Sequence, residues 1–93
     1  MTPDQEINRG QIAQHVLDND VYKEAYSLVR AGIIQAWESA PIRDKDGQGE
    51  LKLMLKLLTD VHKNMESVMT TGKLAKIQVE RESLFKSTVR RFR

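Results

Sequence analysis

The sequence predicts an all-α fold: an antiparallel hairpin of two helices, with a short N-terminal helix and a basic C-terminal helix, that works as an oligomer. Apolar residues from Leu51 to Val68 recur at alternating spacings of three and four, which places them on one helical face. This seam consists of Leu51, Met54, Leu58, Val61, Met65 and Val68. Flanking apolar residues make it wider than one partner helix covers. A chain of 93 residues forms one domain (1–93) that is marginally stable alone, so association is expected.

The first helix is predicted from about Pro3 to Leu17. Thr2 and Gln5 have the spacing of a capping box, in which each side chain satisfies a free backbone N–H group of the first turn. The cluster Asp18-Asn19-Asp20 then predicts a break and a restart, because short polar side chains cap a new helix well.

The second helix is predicted from about Asp20 to Glu38. Trp37 is the only tryptophan and ends its apolar face, so we interpret it as a core or interface anchor. A loop over residues 39–49 follows, because Pro41 disfavours helical backbone at the residue before it. Gly47 and Gly49 suit a tight turn in this loop.

Part of this loop has the spacing of a calcium site. Four residues match its first, third, fifth and sixth positions: Asp44, Asp46, Gln48 and Gly49. The twelfth position requires a bidentate Glu, and here it is Leu55. The sequence therefore favours a capped turn, with Asp46 as the cap of the third helix.

The third helix is predicted from about Gln48 to Thr71, with His62 as a boundary residue beside the seam. Gly72 occupies the next seam position, and the phase of the apolar residues changes after it. We therefore expect a break or a kink at Gly72, with this glycine as a left-handed cap if the helix ends there. A fourth helix is predicted from about Leu74 to Arg90.

Charge is distributed unevenly along the chain. Residues 1–72 carry eight Lys or Arg and eleven Asp or Glu, a net −3, whereas residues 73–93 carry seven and two, a net +5. A basic tail on an acidic body suits nucleic acid, an acidic partner or a neighbouring copy of the chain. The residues expected to make this contact are Lys86, Arg90, Arg91 and Arg93.

The sequence lacks the patterns of common enzymes. It has no glycine-rich phosphate loop and no nucleophile elbow, and its serines have no base at motif spacing. A lone His62 with no neighbouring Cys or His makes a poor metal site, so no metal and no cofactor are expected. The longest apolar run is interrupted by lysines, which predicts no membrane span.

Four segments resemble short, all-helical hypothetical proteins of tailed bacteriophages: residues 9–37, Pro41-x-Arg43-Asp44, Gly49-Glu50-Leu51 and Gly72-Lys73-Leu74. The resemblance implies a phage or prophage origin and a location in the host cytoplasm or the virion. By analogy, it implies a non-catalytic oligomer in virion assembly or DNA packaging, similar to small terminase subunits.

Two other functions stay open. Phage anti-defence sponges are small helical oligomers that sequester cyclic nucleotides in pockets between subunits, and these pockets need basic and aromatic side chains. The residues that could supply them are Tyr22, Lys23, Tyr26 and Arg30. The third interpretation is a protein that binds and inhibits host machinery.

Overall fold

Three α-helices account for nearly all of the chain. The structure is a computed structural model that describes residues 1–91, with Arg91 placed by its backbone. The helices are α1 (Pro3–Asp18), α2 (Asp20–Ser39) and α3 (Lys45–Arg91), and residues 1–91 contain no strand. The predicted all-α class is confirmed.

The helix starts follow from local capping. The Thr2 amide donates to Gln5 Oε1 at 3.0 Å, and the Gln5 amide donates to Thr2 Oγ1 at 3.2 Å, which is the predicted capping box. Asn19 separates α1 from α2, and its side-chain oxygen accepts from the Tyr22 amide at 3.0 Å. Helix α2 ends at Ser39 because Ala40, which precedes Pro41, is extended.

The start of α3 differs from the prediction. Asp44, and not Asp46, caps the helix: its Oδ1 accepts from the Gly47 amide at 3.0 Å. The Gln48 side-chain amide donates to the Pro41 carbonyl at 2.8 Å and ties the short loop to the first turn. Gly47 and Gly49 are therefore helical, and the residues of the apparent calcium loop form a cap and a helical turn.

The predicted fourth helix is the continuation of the third. Helix α3 runs through Gly72 without ending, and no described glycine has a positive φ. The expected end of a helix at Gly72 is therefore wrong, as is the left-handed cap.

The chain divides into two compact units, of which the first contains Met1–His15 and the chain from Met65 onward. Within it, α1 and α3 touch through backbone atoms at Gly10 and Gly72, and both glycines are buried. A Cβ atom on Gly10 would lie 2.8 Å from the Gly72 Cα, and one on Gly72 would lie 2.7 Å from the Gly10 Cα. Ala13 and Ala75, one turn further along each helix, are also buried. Small residues thus allow this close packing.

The second unit spans Val16–Asn64 and contains α2 and the first part of α3. Its one buried apolar residue among those described is Ile33, and most of its other contact residues are half-buried. The buried apolar residues of the described chain are Ala13, Ile33 and Ala75. The single chain therefore has a very small core.

We predict that Gly10→Ala destabilises the protein although alanine is the better helix former. The new methyl group would meet the backbone of Gly72 and Val68, so the helices must separate, at a cost of about 1–3 kcal/mol. Gly49→Ala is the matched control: nothing lies within 4 Å of its Cβ position, and it should stabilise by up to about 1 kcal/mol. Urea unfolding measures both, and equal gains in stability would contradict the close contact.

Candidate functional site

An aromatic cluster joins α2 to α3 in the second unit. The Tyr22 hydroxyl lies 2.9 Å from His62 Nδ1, a hydrogen bond whose direction depends on the histidine tautomer. The Tyr22 and His62 rings are nearly parallel, with centroids 6.0 Å apart, and the Tyr26 ring lies 4.6 Å from His62. All three side chains are half-buried, so they form part of the packing between the two helices.

A groove of about 350 Å³ lies where the end of α2 meets the start of α3. It is lined by Ile33, Ile34, Trp37, Leu51, Lys52 and Leu55. Trp37 is 52% exposed at this groove, so it lies at the edge of the packing rather than inside a core.

Leu51 and Leu55 line the groove with α2, and His62 hydrogen-bonds Tyr22. Leu58 lies between them on the same helical face by its spacing, and we name Leu51, Leu55, Leu58 and His62 the contact row. All four are half-buried. Two members of the predicted seam, Met54 and Val61, are not packed in the single chain, since they are 51% and 61% exposed. His62 is a contact residue rather than a boundary residue beside the seam, and it continues the spacing of four, three and four from Leu51.

The last two members of the predicted seam, Met65 and Val68, belong to the first unit. Both are half-buried. Val68 lies beside the Gly10–Gly72 contact, since its carbonyl oxygen would be 3.2 Å from a Cβ on Gly10. Some residues of the predicted seam therefore pack within the first unit, some pack within the second unit, and the others are exposed. The role of the seam between subunits stays a prediction.

Exposed apolar residues flank the contacts between α2 and α3. We name as the apolar face the following exposed residues: Val21, Ala25, Leu28, Gly32 and Ala36 on α2, and Met54, Leu57 and Val61 on α3. The α2 members recur at spacings of four, three, four and four, and the α3 members at three and four, so each set forms one stripe. Neither stripe contains a charged residue.

The residues of the predicted nucleotide pocket fall into two groups. Tyr22 and Tyr26 are half-buried against His62, whereas Lys23 and Arg30 are exposed. Helix α3 contributes further exposed cations to the same unit, among them Lys52, Lys56 and Lys63. They line a shallow concavity of about 600 Å³ that also includes Thr59 and Asp60.

The C-terminal part of α3 presents the predicted basic contacts to solvent. Lys86 and Arg90 are exposed, as are the neighbouring apolar side chains of Leu84 and Phe85. Arg91 is described by its backbone, and Arg93 lies outside the described residues. The assignment of these cations to a nucleic-acid or acidic partner stays a prediction.

Residues 1–91 hold no cluster of three or more His, Cys, Asp or Glu side chains close enough to bind a metal ion. No helix in this part of the chain combines the length and apolar character needed to cross a membrane.

Comparison of the chain with models of protein families, with curated proteins and with solved structures finds no match.

Proposed function

We propose that the protein is a non-catalytic helical oligomer that acts in virion assembly or DNA packaging of a tailed bacteriophage. The phage setting comes from the sequence resemblance. The observation that carries the oligomer is the uncharged apolar face, which a single chain leaves exposed to water.

The contacts of the second unit support an antiparallel hairpin of α2 and α3. Tyr22, near the start of α2, meets His62 on α3, whereas Trp37, near the end of α2, shares a groove with Leu51 and Leu55. The order of contacts thus reverses between the two helices. In an antiparallel pair of helices, the residues that directly precede contact residues lie on the same side of the pair in both helices. The residues that directly follow contact residues lie together on the other side.

The two stripes of the apolar face satisfy this condition. On α2, Ala25 and Gly32 each precede a packed residue by one position, Tyr26 and Ile33 respectively. On α3, the stripe residues likewise precede members of the contact row by one: Met54, Leu57 and Val61 precede Leu55, Leu58 and His62. Both stripes therefore border one side of the hairpin and form a largely uncharged surface, with Glu50 at its edge near the start of α3.

The exposure of its aliphatic side chains supports coverage of this surface by a second copy. Val21, Leu28 and Leu57 are 72%, 66% and 56% exposed in the single chain, and a contiguous exposed apolar patch usually marks an interaction site. Two hairpins that pack through this face would form a four-helix bundle with the exposed aliphatic residues in its core.

We predict that Val61→Glu disrupts the oligomer without unfolding the chain, because a buried unpaired carboxylate in the interface is costly. Val61 is 61% exposed in the single chain, so its substitution leaves the intrachain packing intact. Multi-angle light scattering at micromolar concentration should give an oligomer for the native protein and a helical monomer for the variant, as checked by circular dichroism.

Ile42→Glu is the matched control for this experiment. Ile42 lies in the loop between α2 and α3 and is 89% exposed, so the same change of charge should leave the oligomer intact. A native protein with a sharp monomer mass would contradict the proposal, as would a Val61→Glu variant with an unchanged oligomer mass.

The neighbouring genes test the biological setting. For an assembly or packaging protein, we expect capsid and terminase genes beside the coding sequence. A position among early anti-defence genes would contradict this role and favour the cyclic-nucleotide sponge instead.

A further inference from the structure

The side of the hairpin opposite the apolar face is rich in cations. On α3, each residue that directly follows a member of the contact row is basic or polar: Lys52, Lys56, Thr59 and Lys63. On α2, Lys23 follows Tyr22, and Arg30 is seven residues further along, two helical turns away on the same face. All five cations are exposed.

The cations of the two helices border the same side of the hairpin. Ile34, four residues after Arg30, lines the groove that also includes Lys52. This groove therefore places the face of α2 that carries Arg30 and Ile34 beside Lys52 of α3. Lys52, Lys56 and Lys63 in turn line one shallow concavity. We name the five cations Lys23, Arg30, Lys52, Lys56 and Lys63 the basic face.

The basic face arises from segregation of charge and not from an excess of it. Residues 16–64 carry seven Lys or Arg and eight Asp or Glu, a net −1. Glu50 precedes Leu51 and so lies toward the apolar face, while Asp44 and Asp46 lie at the start of α3. Asp60 lines the lysine concavity, and Glu38 follows Trp37 on the same side of α2, so these two carboxylates offset part of the positive charge.

We propose that the basic face binds the phosphate backbone of duplex nucleic acid without reading its sequence. Lys52 and Lys63 are eleven residues apart, which is about 16 Å along a helix, and neighbouring helix axes are about 8–10 Å apart. This area is sufficient for several phosphates, which lysine recognises as a flexible point charge. The inference goes beyond self-association and leaves the apolar face free for it.

The shape and chemistry of the face favour a duplex over other anionic partners. Its concavity is shallow, and it is lined by three lysines together with Gly49, Leu53, Leu55, Thr59 and Asp60. The cations therefore border an open surface, which suits an extended phosphate backbone better than a small anionic ligand that needs an enclosed pocket. The rings of Tyr22 and Tyr26 pack against His62, so they do not form a platform for stacking unpaired bases.

Fluorescence anisotropy with a 30-base-pair duplex of mixed sequence tests the proposal in the full chain. Five phosphate contacts per chain give a slope of about −4.5 for log affinity against log salt concentration. The variant Lys52→Gln, Lys56→Gln, Lys63→Gln should lower the magnitude of this slope to about 2 and weaken binding at 100 mM salt by about tenfold or more.

The variant Lys73→Gln, Lys76→Gln, Arg81→Gln is the control, because it removes the same charge from the C-terminal part of α3. We expect it to keep the native slope. Equal losses in both variants would overturn the proposal by showing that net charge alone sets the affinity. A loss confined to the control would overturn it by assigning binding to the C-terminal segment, and binding of a poly-glutamate peptide but not of the duplex would assign the face to an acidic protein.

Light scattering of the same samples separates this inference from the proposed oligomer. The lysine variant should keep the native mass, because its substitutions lie away from the apolar face. Failure to oligomerise with intact duplex binding would contradict the proposed function alone, whereas an oligomer that does not bind the duplex at 50 mM salt would contradict the basic face alone.

Discussion

The contact row on α3 fixes the rotational position of the helix against α2, and both surfaces of the second unit follow from it. The residues that precede members of this row are aliphatic at Met54, Leu57 and Val61, and those that follow it are mainly lysines. A helix advances about 100° per residue, so a shift of one residue in this packing would bring one of these two surfaces into the contact with α2 and expose the present contact row. The hydrogen bond between Tyr22 and His62 supports this register, because it requires one pairing of polar atoms across the two helices.

Burial in the single chain is too limited to make this packing robust. Three apolar side chains are buried among the described residues, and two of them are alanines, so each would contribute at most about 1–3 kcal/mol. Helix caps at Thr2, Asn19 and Asp44 add about 0.5–2 kcal/mol each. Such contributions set helix boundaries well but compensate poorly for the conformational entropy of 93 residues. Coverage of the apolar face by a second copy would supply the missing burial.

The features that depend on residues close in sequence could be predicted correctly. Those that depend on contacts between residues distant in sequence could not. The capping box at Thr2 and Gln5, the break at Asn19 and the helix end before Pro41 are local, and the structure confirms them. Gly72 resembled a helix terminator, yet its small size serves the approach of α1, a contact across about sixty residues of sequence. Asp44 and Asp46 are both plausible caps by residue type, so the sequence alone could not choose between them.

The phase of the apolar stripe on α3 was ambiguous for a related reason. Helix α3 has apolar residues on two sides, one toward α2 and one toward solvent, and a single seam fitted through both included Met54 and Val61 with Leu51 and Leu58. His62 does not extend an apolar pattern because histidine is polar, although it contacts Tyr22 of α2. The basic tail can be predicted from the sequence because its charges are close together along the chain. The basic face cannot, because it forms only when two helices pack together.

Thiol reactivity tests most directly whether the apolar face is covered by another copy. The native chain has no cysteine, so Val61→Cys and Lys63→Cys each introduce one thiol at positions exposed in the single chain. At micromolar protein concentration, Val61→Cys should react with a maleimide at least about tenfold more slowly than Lys63→Cys, and dilution to monomer should remove the difference. Equal rates for the two thiols at every concentration, or protection of Lys63→Cys instead, would contradict the assignment of this face to self-association.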